Sequence, residues 1–155
     1  MLKFDNNGYL FPYQAIEIDL ATLQDVFVFN KHREQLFIHY LRWLDSFKSK
    51  VTQEFTQFIN GSFISQKEFP KDMDFVTFFD YKIYEQEERF LDKYWTFSLE
   101  NEGLDSYLVK TYPQEHEKFP DYIKDKNVWE TRYSKTTADE MENIFKKGFI
   151  KILHH

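Results

Sequence analysis

Two short stretches restrict this chain more than the rest of it. They are Ile59-Asn60-Gly61-Ser62-Phe63 and, after a nine-residue spacer counted from Ser62, Asp72-Met73-Asp74-Phe75. The first reads as the end of a strand entering a glycine-serine turn. The second opens another strand-like run, Phe75-Val76-Thr77-Phe78-Phe79. Side chains alternate along a strand, so positions i and i+2 share a face. Asp72 and Asp74 therefore point one way, and Met73 and Phe75 point the other way, toward the core. Neighbouring carboxylates repel unless a cation lies between them, and hard oxygen ligands suit Mg²⁺ or Mn²⁺. The Gly61-Ser62 turn leaves backbone N–H groups free to meet phosphate oxygens. A phosphate cradle beside a two-carboxylate platform is the equipment of metal-assisted phosphoryl or nucleotidyl transfer.

Taken singly, each element has a plainer reading. Gly61-Ser62 also fits an ordinary turn or helix cap, Asp72 a turn residue after Pro70-Lys71, and Asp105 the edge of a strand. The weight lies in the combination and its spacing. That combination resembles the signature of the DNA polymerase β-like nucleotidyltransferase superfamily. Gly61-Ser62-Phe63-Ile64-Ser65-Gln66-Lys67 and Pro70-Lys71-Asp72-Met73-Asp74 are similar to a group of small bacterial proteins with a minimal version of that fold. Asn7-Gly8-Tyr9-Leu10-Phe11-Pro12 and Lys147-Gly148-Phe149-Ile150 resemble the ends of the same group. The resemblance implies a third carboxylate from a later strand, and Asp105 in Leu104-Asp105-Ser106-Tyr107-Leu108-Val109 stands at the right place in the order. It further implies that Asp72, Asp74 and Asp105 hold Mg²⁺ (or Mn²⁺), that Gly61 and Ser62 hold the phosphates of a nucleoside triphosphate, and that Lys67 neutralises phosphate charge.

A chain of 155 residues is expected to form one domain, and its 18 Phe and 10 Tyr supply a substantial core. The absence of cysteine excludes disulfides and thiolate metal sites and fits a reducing compartment. No apolar run reaches the length of a membrane span, and no secretory signal is visible after Met1, so a cytoplasmic protein is expected. A net charge of −6 argues against an extensive nucleic-acid-binding surface, though not against a local basic pocket. His32 and His39 nearly share a helix face but are separated by about 10 Å of helical rise, too far for one metal. The closing His154-His155 reads as a tag remnant without a role.

Asn6-Asn7-Gly8 marks a turn in a turn-rich lead-in over 1–18. Asp19 suits the N-cap of a short helix. Leu36, Phe37, Tyr40, Leu41, Leu44 and Phe47 recur at helical spacing. Strands are predicted over 53–60, 72–80, 104–109 and 149–153, with a short helix over 61–69 stopped by Pro70. A helix from about Glu85 to Glu100 is predicted to present Phe90, Leu91, Tyr94 and Phe97, with Gly103 after it. Residues 117–134 look helical, and Thr137-x-x-Glu140 before Met141, Ile144 and Phe145 reads as a capping box opening a last helix that Gly148 ends. The polar stretch holding Arg132 and Lys135 reads as a solvated face, and Phe63 and Tyr107 as packing residues. The mixed order points to an α+β domain with one central mixed sheet and helices against it; the resemblance makes it nucleotidyltransferase-like.

The leading functional expectation is a metal-dependent enzyme moving a nucleotide from an NTP or dNTP to a hydroxyl on a protein, a nucleic-acid end or another nucleotide. A chain this short leaves no separate domain to grip a template. The resemblance implies a toxin–antitoxin or phage-defence setting and a partner protein from a neighbouring gene. The alternative is a catalytically inactive binding module, or an antitoxin-like partner, that keeps the fold without the chemistry.

Overall fold

Alternation in the strands sorts the side chains to two faces of one sheet, and each face has its own cover. The computed structural model describes residues 1–95 and 102–155. In chain order the elements are β1 (Lys3–Phe4), β2 (Leu10–Phe11), β3 (Ala15–Glu17), α1 (Leu20–Phe27), α2 (Lys31–Lys50), β4 (Phe55–Asn60), a 3-10 turn (Ser62–Ile64) and β5 (Met73–Asp80). There follow α3 (Tyr81–Glu87) continuing as a 3-10 segment (Glu88–Tyr94), β6 (Leu104–Thr111), α4 (Phe119–Tyr133) and β7 (Phe149–His154). β1 and β2 form a small antiparallel pair, and the main sheet has five strands in the order β3-β7-β4-β5-β6. It is mixed: β3 runs parallel to β7 and β5 to β6, while β4 is antiparallel to β5 and β7. The architecture is α+β, as the order of sequence elements predicts.

One face carries Phe55, Ile59, Met73, Phe75, Phe79, Leu104, Leu108, Ile150 and Ile152, packed with the apolar stripe of α2 and with α1. Aromatic rings lock this layer. Trp43 stacks on Phe47 at 4.7 Å and meets Phe75 edge-on at 4.9 Å. The opposite face carries Phe58, Val76, Phe78, Val109 and Phe149, covered by Tyr133, Trp129 and Tyr122 of α4. Asp19 and Asn30 cap α1 and α2, accepting from the backbone N–H of Thr22 and Arg33. Among the described residues no helix is long and apolar enough to cross a membrane.

A polar seam runs through the α2 layer. Tyr40 and His154 both donate to Gln57 Oε1, at 2.6 and 2.9 Å, and Gln57 donates to Thr77 Oγ1 at 2.9 Å. His154 also stacks on Phe55 at 4.5 Å. It is thus a core residue closing β7, which corrects the reading of the terminal histidines as a remnant. Burial, helped by the charges of Lys48 and His155, holds the His154 imidazole down at about 4 against an ordinary 6.5. The unfolded chain therefore binds an extra proton between these values. The contribution of neutral His154 is full above about pH 6.5 and is lost as pH falls toward about 4. We expect unfolding in urea to become easier across that window by on the order of 2 kcal/mol, after allowance for solvent screening, and less so in His154→Gln.

Four further expectations are corrected. The lead-in is not merely turns, because β3 joins the main sheet through backbone bonds to β7. The helix expected over 61–69 shrinks to the single turn Ser62–Ile64. The helix expected from Glu85 to Glu100 starts earlier, at Tyr81, and tightens to 3-10 geometry after Glu87; Phe97 and the rest of 96–101 lie outside the described residues. With three residues per turn, Leu91 and Tyr94 eclipse one another and are buried, while Phe90 is 62% exposed. Nor does Thr137 open a helix. Residues 134–148 form an excursion closed by a bridge between Lys135 and Lys146. Asp139 caps its tip through the N–H groups of Met141 and Asn143, leaving Met141 and Ile144 exposed.

Candidate functional site

The second strand of the acidic motif lies between two partners that complete it. In register, Asp74 of β5 stands beside Asp105 of the parallel β6 on one side and Asn60 of the antiparallel β4 on the other. All three belong to the α4 face, because their neighbours Met73, Phe75, Leu104 and Ile59 fill the α2 layer. Asp72 sits one residue before β5. Asp72, Asp74 and Asp105 stand close enough that the charges of Asp72 and Asp105 act on Asp74, and that of Asp105 on Asp72. The three carboxylates line one cavity of about 480 Å³, together with Gly61 and Ser62. Its remaining wall comes from Tyr133, Trp129 and Arg132 of α4, from Lys135–Asp139 and Phe145 in the excursion, and from Lys147.

Gly61 is required here by space. Its φ of +83° is one that side chains avoid, and a Cβ on it would collide with the Asp74 carboxylate, coming within 2.9 Å of Cγ and closer still to Oδ2. The strand end must pass against the acidic group with nothing between. Gly61→Ala should therefore lower stability by about 1–3 kcal/mol and push the Asp74 side chain aside; urea unfolding reads the first and a crystal structure of the variant the second.

Electrostatics mark the cluster as strained. Burial, then the charges of Asp72 and Asp105, raise the Asp74 carboxyl to about 8 from an ordinary 3.8. Burial and the charge of Asp105 also raise Asp72, against the opposing pull of its Asp74 hydrogen bond, Lys71 and Lys67. Asp74 therefore keeps a proton at neutral pH, which relieves the repulsion among the three carboxyl groups. Among the described residues, no group of three or more His, Cys, Asp or Glu side chains is placed to hold a metal ion. The cavity also contains unmet polar groups. Asn60 Oδ1 and the Tyr133 hydroxyl are buried with no hydrogen-bond partner among the described residues. Burial, then the nearby Asp74 and Asp105, drives the Tyr133 hydroxyl well above the usual tyrosine range.

Sequence reasoning brought Asp72, Asp74, Asp105, Gly61 and Ser62 together, and the structure places all five at this cavity. Lys67 is exposed and does not line it, although its charge reaches Asp72. Arg132 and Lys135, read as a solvated face, line the cavity and also a more open groove of about 650 Å³ along α4 with Pro120, Ile123, Lys124 and Val128. The acidic cavity, which alone holds the carboxylates, is the chemical candidate. Tyr107 also lines it, whereas Phe63 is fully buried.

Arg33 was missed. It is fully buried on α2, and its guanidinium makes six hydrogen bonds to the backbone carbonyls of Phe27, Ser62, Phe63, Ser65 and Lys67. It thereby fixes the whole Ser62–Lys67 loop from beneath. Burial lowers it to about 10, which leaves it charged at neutral pH. The helical stripe in the sequence showed which residues face the core, and an arginine among them was the available signal.

The fold and site define an α+β protein with an acidic cavity at one end of a mixed sheet. The chain belongs to a family of unknown function, DUF6932, whose match spans residues 2–153. No curated protein and no solved structure matches the chain.

Proposed function

We propose that this protein is a metal-dependent nucleotidyltransferase with a nucleotidyltransferase-like fold, moving a nucleotide from an NTP or dNTP to an acceptor hydroxyl. The observation that carries the reading is the meeting of Asp72, Asp74 and Asp105 from adjacent parallel strands, opposite the Gly61-Ser62 turn, in one cavity. The donor set fits a hard divalent ion: three oxygen ligands held close enough to need a shared positive charge, with an unmet amide oxygen on Asn60 beside them. Held by Asp72, Asp74 and Asp105, Mg²⁺ or Mn²⁺ would supply charge neutralisation at the phosphate and acidify the attacking hydroxyl.

The chain's own residues do the positioning. Gly61 allows the loop to approach the acidic group, and the Gly61 and Ser62 backbone with the Ser62 hydroxyl receives phosphate oxygens. Arg33 keeps that loop in one shape without touching substrate. Asp105, on the outer of the two parallel strands, orients the acceptor hydroxyl. The groove along α4, which joins the cavity at Arg132 and Lys135, is the path by which the acceptor reaches it.

Intact-mass analysis and pyrophosphate release test the reading, after incubation with Mg²⁺ or Mn²⁺ and each NTP and dNTP, with and without cell extract. A nucleotide-sized mass gain on an acceptor, or pyrophosphate release, is expected, and either should vanish in Asp105→Asn. Nucleotide binding without transfer in every condition would instead identify a binding module.

A further inference from the structure

We propose that Lys147 is an anion subsite of the acidic cavity and receives the polyphosphate tail of the nucleotide; the inference rests on the function proposed above but has its own test. Lys147 is 92% buried, being 8% exposed, yet it lines the cavity with Asp74, Asn60, Gly61 and Ser62. Among the described residues its ammonium has no carboxylate within 4.0 Å and no hydrogen bond. Removing an ammonium from water is costly unless an anion or several acceptors meet it. Asp74 senses its charge but is not paired with it. A lysine buried along its stem, with its ammonium open to a cavity and without an ion pair or hydrogen bond among the described residues, is provision for a ligand.

Its backbone is held rigidly. The Lys147 N–H donates to Ser134 O at 2.9 Å, and the next N–H, of Gly148, donates to Leu10 O at 2.6 Å. Gly148 permits this approach, since a Cβ there would lie 3.0 Å from the Leu10 carbonyl oxygen and nearer still to that of Pro12. Alternation then sends Lys146 to solvent and Lys147 into the cavity. Two more observations point to a ligand in the same space: Asn60 Oδ1 and the Tyr133 hydroxyl, both buried and both without a partner among the described residues.

The chemistry of the walls selects the ligand class. A bare anion approaching Lys147 would be repelled by Asp72, Asp74 and Asp105. A bare dication would satisfy the aspartates and leave the lysine unmet. A polyphosphate carrying a divalent ion satisfies both, with phosphate oxygens on Lys147 and the ion on the carboxylates. Lys67, exposed and outside the cavity, does not have this geometry.

Calorimetric titration with inorganic tripolyphosphate tests the subsite without requiring turnover. Wild type should bind in Ca²⁺ or Mn²⁺ and not in EDTA. Lys147→Met should weaken binding by about 30-fold or more, Lys147→Arg by much less, and the exposed control Lys146→Met not at all. Because methionine removes a buried charge, Lys147→Met should melt no lower than wild type; Lys147→Gln serves as a second variant should the first misfold. Unchanged tripolyphosphate affinity in a folded Lys147→Met or Lys147→Gln protein overturns the inference, as does equal loss in Lys146→Met. Lysine-dependent tripolyphosphate binding in a protein that never transfers a nucleotide would keep the subsite and sink the transferase reading. Transfer by a wild type whose Lys147 variants bind tripolyphosphate normally would do the reverse.

Discussion

Replacing Asp74 with asparagine should abolish turnover and, at the same time, make the metal-free protein harder to unfold at alkaline pH. The two effects share one cause. Asp74 is buried against Asp72 and Asp105, and that setting raises its carboxyl to about 8 from an ordinary 3.8. Between those values the folded state holds a proton that the unfolded state has released. Its contribution to stability is complete below about pH 4 and disappears as pH climbs through about 8. Asparagine keeps the shape and never ionises. In EDTA the variant should gain on wild type steadily from about pH 5 to about pH 9, reaching on the order of 2 kcal/mol. For the proposed nucleotidyl transfer, turnover should fall by about a thousandfold or more, since charge stabilisation at the phosphate would be most of what the site provides. Thermal melts at several pH values and a pyrophosphate assay read the two arms. A variant that melts below wild type throughout would show that Asp74 is a structural partner and not a strained functional group.

The second large effect belongs to Arg33. Its guanidinium is the shared donor for five backbone carbonyls, four of them in the Ser62–Lys67 loop, and among the described residues no carboxylate pairs with it. Arg33→Met should cost about 4 kcal/mol in urea unfolding, because the side chain leaves and the buried acceptors remain. Arg33→Lys should recover little of this. An ammonium offers three donors from a point, whereas the observed contacts come from Nε, Nη1 and Nη2 of a planar fork. Any folded Arg33 variant should also bind nucleotide weakly, since the loop that carries Ser62 would lose its shape. Rescue by lysine to near wild-type stability would refute this account of the loop.

Strand alternation was legible, and so was everything that follows from it locally. Asp72 and Asp74 share a side while Met73 and Phe75 are buried in the α2 layer. Apolar spacing located α2, and Asp19 located α1. What misled was local chemistry that tertiary contacts overrode. Thr137-x-x-Glu140 has the form of a capping box, but Thr136 bonds the Phe145 N–H and Lys135 bridges Lys146, so the segment closes on itself. Phe145 and Lys147 then line the cavity instead of a helix face. Phe90 fits an amphipathic stripe of period 3.6, but the chain there has three residues per turn and turns Phe90 outward.

By itself the sequence determined which side chains share a face, because that depends on a strand's period of two and a helix's of 3.6. Only the tertiary structure decided what stands opposite them. Parallel pairing of β5 with β6 put Asp105 beside Asp74, α4 brought Tyr133 into the cavity with both, and the return of the chain into β7 buried Lys147 in the same space. Strand register and helix docking join residues far apart in the chain through the burial of whole surfaces, and no local spacing encodes that choice.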